Sequence, residues 1–180
     1  SAGSFTANIN LDGLVTAARG TFNPNTGNCT VTVANGATTL HLNLHLQLSG
    51  GTRRITGTLA QVTGGITGDV SDIVADRAAF STLNTVPVAN RGTYNVALPA
   101  RASQSNPSLV YPSGDGIGTV TVASTGVVTF RGTLADGCTF TQTAALSADL
   151  TWPIFIVFTN RVGSLSGLAT LAETQNDSDL

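Results

Sequence analysis

"LHLNLHLQL", residues 40–48, sets a leucine at every second position and a polar residue between each pair. A period of two places Leu40, Leu42, Leu44, Leu46 and Leu48 on one face and His41, Asn43, His45 and Gln47 on the other, so the stretch predicts a half-buried β-strand. The same alternation appears in "SFTANIN" (4–10), "CTVTV" (29–33), "GTVTVAS" (118–124), "GVVTFRGTL" (126–134) and "WPIFIVF" (152–158). Turn-forming pairs punctuate them: Asn35-Gly36, Gly50-Gly51, Gly64-Gly65, Asp115-Gly116 and Asp136-Gly137, with Asn23-Pro24-Asn25 upstream. The one stretch where a helical turn fits, "SDIVADRAAFSTL" (71–83), is read as strand or irregular. The chain is therefore expected to be all-β.

A phrase is also written twice. "RRITGTLAQ" (53–61) returns as "TFRGTLADG" (129–137), and residues 46–60 lie over 121–135 without a gap at an offset of 75. The offset carries Phe80 onto Phe155, and "ARGTFN" (18–23) lies over "NRGTYN" (90–95) at an offset of 72. Two tandem half-domains, about 1–88 and 89–176, are expected to share a plan of five or six strands each. One half alone leaves an apolar sheet face in water, so an antiparallel barrel or sandwich of about 10–12 strands within a single domain, 1–180, is expected. Residues 99–118, with Pro107, Pro112 and "PSGDG", form the longest loop candidate, and the polar end 173–180 reads as a flexible tail.

Charge is scarce. Charged residues are 10% of 180, all eight basic residues are Arg, and net charge is −2. Soluble proteins carry about 25% charge, so Thr, Ser, Asn and Gly must hold this surface in water. Nucleic-acid binding needs a cationic face, and the largest basic cluster is Arg53-Arg54. No apolar run approaches the ~20 residues of a spanning helix, no segment resembles a signal peptide, and "SAGSFT" suits a mature terminus or an excised domain equally. A transmembrane β-barrel fits the alternation, but its aromatic girdles are hard to build from 6% aromatic residues.

The order Gly92-Thr93-Tyr94, Gly114-Asp115-Gly116, Gly132-Thr133-Leu134-Ala135-Asp136-Gly137, Trp152-Pro153 and Gly163-Ser164-Leu165-Ser166-Gly167 resembles a β-rich domain of large secreted bacterial surface proteins. "GSFTANINLDG" and "VADRAAF" resemble that domain's amino-terminal part. Two positions depart from the pattern: Leu168 follows the last Gly where a Trp is expected, and Cys138 stands where a small polar residue is usual. The resemblance implies an extracellular or cell-surface setting and carries no assigned catalytic residues.

Candidate chemistry is thin. His41 and His45, four apart on a strand, are separated by roughly 13 Å, too far for both to reach one zinc ion at about 2.1 Å. "GSLSG" has Leu where a nucleophile elbow needs Ser. Asp69, Asp72 and Asp76 form the only carboxylate cluster, with Asp72 and Asp76 on one strand face and turn or surface roles favoured over a glycosidase pair or calcium ligands. Neither Cys29 nor Cys138 has metal-ligand spacing; a disulfide between them would close a loop of 109 positions and stabilise by about 4–5 kcal/mol, and two separate thiols are the alternative. No catalytic residue, metal site or cofactor is expected.

The reading is a non-enzymatic extracellular structural or adhesive module whose partners are other domains or copies of the same protein, joined by β-strand addition with "SFTANIN" as donor. The alternative is a carbohydrate-binding domain using Tyr111, Trp152 and Asp115; a hydrolase with an unrecognised site is third.

Overall fold

The computed structural model describes residues 3–11, 13–47, 54–100, 114–158 and 163–172. Twelve antiparallel strands are arranged in open sheets, with one short 3-10 turn, Val88–Asn90, and no α-helix among the described residues. The chain is all-β. It divides into two compact units, Ser1–Arg77 and Ala78–Leu180.

In the first unit, β1 (Ser4–Leu11) and β2 (Leu14–Thr21) form a hairpin. A four-stranded meander follows: β3 (Asn28–Asn35), β4 (Thr38–Leu46), β5 (Arg54–Thr63) and β6 (Ile66–Asp76). Strand β4 is the quoted alternation. Leu40, Leu42 and Leu44 are buried, while Asn43 and His45 face solvent. These leucines meet Ala18 and Phe22, with Phe5, Ile9 and Leu11 of β1 packed on the same cluster, so the hairpin covers the meander's apolar face. The rings of Phe5 and Phe22 stand 5.1 Å apart. Burying one such side chain contributes about 1.5–3 kcal/mol, and that gain holds the two layers together.

The second unit reverses the order. Strands β7 (Gly92–Leu98), β8 (Gly116–Val122), β9 (Val127–Thr133) and β10 (Thr139–Ala145) make the meander first. The hairpin β11 (Thr151–Val157) and β12 (Ser164–Thr170) comes after it. Val120, Val122, Val128, Phe130 and Phe140 form the meander's share of a core completed by Val86, Leu146 and Trp152. Gln142 ties β10 to β11: its side-chain amide donates to the Pro153 carbonyl (3.2 Å), and its oxygen accepts from the Phe155 N–H (3.3 Å). Leu150 adopts a left-handed backbone (φ 57°), and its side chain packs on the core, which offsets the cost of about 1–2 kcal/mol.

Each unit is thus a small two-layer sandwich with its own core, and no described sheet closes into a barrel. The repeated phrase begins on the third strand of each meander, β5 and β9, but residues 58–61 stay within β5 whereas residues 134–137 form the turn after β9. The likeness stops at the ends. Gly20-Thr21 finishes a hairpin strand whereas Gly92-Thr93 starts a meander edge, and Phe80 lies in an irregular stretch whereas Phe155 is on β11.

The repeated glycine has a steric cause. A Cβ on Gly57 would fall directly onto the Asn43 carbonyl of β4, and one on Gly132 would meet the Ile117 carbonyl of β8 at 2.6 Å and the Phe140 ring at 2.6 Å. Turn chemistry follows the sequence as well: Gly64 and Gly65 (φ 58° and 81°) close the β5–β6 hairpin in the conformation that favours paired glycines. The loop candidate is shorter than its sequence predicts, because Gly116–Gly118 belong to β8 and Gly116 pairs with Leu98. Its central part, the Gly50-Gly51 turn and the tail 173–180 lie outside the described residues.

Candidate functional site

The three sequence-predicted ligand residues do not assemble into a described site. Tyr111 lies outside the described residues. Trp152 is a core side chain, 5% exposed, with its face spent on the packing of the second unit. Asp115 accepts a hydrogen bond from the Ala100 N–H at 2.8 Å, holding together the chain ends that flank β7 and β8.

The histidines lie on the solvent face of the first meander, in cross-strand rows. His41 sits in the row Thr32–His41–Ala60–Val70, His45 in Asn28–His45–Thr56–Val74, and between them runs Thr30–Asn43–Thr58–Asp72. A whole row separates the two rings. The Nδ1 of His45 lies 2.8 Å from the Asn28 Oδ1, a cross-strand hydrogen-bond contact. No three His, Cys, Asp or Glu side chains converge among the described residues.

Asp72 and Asp76 share one face of β6, as their spacing predicts. Asp76 is bound by Arg54 across the ladder through Nε (2.5 Å) and Nη2 (3.1 Å). Asp69 lies where the β5–β6 register shifts between Ala60 and Val62, at a bulge in β6.

Both cysteines are free thiols, Cys29 buried in the first unit and Cys138 exposed in the second. The Asp136 carboxylate accepts the Cys138 backbone N–H at 2.9 Å. Hydrogen bonding to the same carboxylate, then desolvation and its negative charge, raise the Cys138 thiol above its ordinary pKa. The thiolate is the reactive form, so Asp136→Asn is expected to speed alkylation of Cys138 by iodoacetamide at about pH 8. An unchanged rate would mean the carboxylate does not control the thiol.

Two surface features remain. The first is an open hollow of about 680 Å³ on the second meander, mostly apolar, where the row Val96–Gly118–Gly132–Phe140 carries no side chain at its two central positions. Among the described residues lining it, Arg131 is the one that is charged. The second is β6. At 11 residues it is the longest described strand, it pairs only with β5 among the described residues, and Ile66, Val70 and Val74 are 76%, 58% and 61% exposed. An unpaired edge with exposed apolar side chains presents free N–H and C=O groups to any strand that fits. The sequence reading placed this function on β1 instead, but β1 packs Phe5, Ile9 and Leu11 into the core, so donating it would open the first unit.

No protein-family model matches this chain, and no curated protein or solved structure matches it.

Proposed function

We propose that this chain is a non-enzymatic structural or adhesive β-module of an extracellular bacterial surface assembly, joined to neighbouring domains or copies by β-strand addition. The observation that carries the reading is the β6 edge: a long strand with one partner among the described residues and three exposed apolar side chains. β6 carries neither the Lys nor the Pro that natural proteins set on open edges; its guards are three Asp side chains and the bulge near Asp69. The setting is supported by the order of glycine turns and Trp152-Pro153 that resembles secreted surface-protein domains. Trp152 does not favour a stacking platform for sugars, because its ring faces the core.

Sedimentation velocity and negative-stain electron microscopy over a concentration series test the reading. Concentration-dependent association is expected, with backbone amides of an edge strand gaining protection from hydrogen exchange. Inert monomers at every concentration would overturn it.

A further inference from the structure

The edge of β6 has a partner written into its own sequence. We propose that it pairs antiparallel with β6 of a second copy, about a two-fold axis centred on Ile73, joining two four-stranded meanders into one eight-stranded sheet. This rests on the strand-addition reading above and adds the partner and the register.

Beyond the bulge, Val70–Asp76 runs as a regular ladder with β5. In an antiparallel pair, residues directly opposite must share a sheet face, so a two-fold pairing joins residues of equal parity. Centring on Asp72 sets this carboxylate against the partner's Asp72. Centring on Val74 sets Asp72 against the partner's Asp76. Centring on Ser71 or Ala75 leaves only three residues in register before the bulge or the strand end. The Ile73 centre alone uses all seven residues and opposes no two carboxylates. It sets Asp72 against the partner's Val74, Ser71 against the partner's Ala75, and Val70 against the partner's Asp76, whose charge Arg54 of that copy already engages by the pairing seen here. The exposed valines, 58% and 61% accessible, become covered. Asp72 stays diagonal to the partner's Asp72, a repulsion that salt screens.

The other strands with a single partner among the described residues fit less well. β1, β3, β7 and β10 expose no large apolar side chain, β11 and β12 expose Phe155 and Leu168 alone, and β2 exposes Leu14 and Val15 only at its first two residues, beside the β1–β2 turn.

The test uses the full chain with Cys138→Ser to remove the exposed thiol. Asp72→Cys and Val74→Cys proteins are prepared separately, then oxidised alone and mixed. Directly opposite Cβ atoms stand about 4.5–5.5 Å apart and diagonal ones about 7–8 Å, and disulfides need close Cβ atoms. Cross-linked dimer is therefore expected in the mixture and not in either protein alone. Val74→Asp, which sets carboxylates opposite each other twice, is expected to weaken dimerisation on the order of tenfold while leaving the melting temperature unchanged at concentrations low enough that both proteins are monomeric. Association without the mixed cross-link, or equal cross-linking of the single proteins, overturns this register and leaves strand addition standing. Monomers at every concentration overturn both.

Discussion

Trp152→Ala is expected to destabilise the second unit by about 3–5 kcal/mol, the range for deleting a large buried aromatic ring. The side chain is 5% exposed and sits with Val86, Leu146, Phe130 and Phe140, in the cluster where the β11–β12 hairpin and the irregular segment before β7 join the meander. Removing it opens a cavity against three different parts of the chain. The conservative replacement separates ring from nitrogen. Trp152 Nε1 is buried and has no hydrogen-bond partner among the described residues, and an unsatisfied buried donor costs about 1–3 kcal/mol. Trp152→Phe keeps most of the apolar contact and removes that donor, so its stability is expected to stay within about 1.5 kcal/mol of the parent. Urea unfolding monitored by circular dichroism measures both. Native-like stability of Trp152→Ala would place the ring outside the core and return it to the list of sugar-stacking candidates.

The second large effect concerns the glycines of the repeated phrase. Gly57→Ala and Gly132→Ala are each expected to cost about 3 kcal/mol, the upper part of the range for overpacking. The obstacle in both cases includes a backbone carbonyl of the neighbouring strand, Asn43 or Ile117, which moves only if the ladder shifts. A flexible side chain would yield more cheaply. Gly167→Ala on β12 is the control: no atom lies within 4 Å of the added methyl, and its backbone is not left-handed. Restricting the unfolded chain there is expected to leave stability unchanged or raise it by about 0.4–1 kcal/mol. Equal effects at all three positions would mean that the two repeated glycines are not required by close strand approach.

These two sites show how far the chain could be read without coordinates. The glycine in "RITGTL" and "FRGTL" is conspicuous because it recurs at one offset, and its place on the third strand of each meander follows from the hairpin pattern around it. Trp152 gives no such signal. It leads the apolar run "PIFIVF" and precedes a proline, a pattern shared by core residues and exposed strand ends. Its burial depends on Val86 and Leu146, residues distant in sequence, so local pattern does not decide it. The β6 edge was missed for a related reason. "ITGDVSDIVAD" alternates imperfectly because of the bulge near Asp69, and whether a strand is central or at an edge depends on what lies beside it.

What the sequence determined alone was local: alternating side chains made strands, and glycine pairs such as Gly64-Gly65 made the tight turns between them. Both follow from backbone sterics acting over a few residues. Tertiary structure decided the rest. The hairpin precedes the meander in one unit and follows it in the other, each unit has its own core cluster, and β6 pairs with β5 alone among the described residues. Those outcomes depend on which apolar faces find each other across long stretches of chain, and a repeat of similar phrases leaves that choice open.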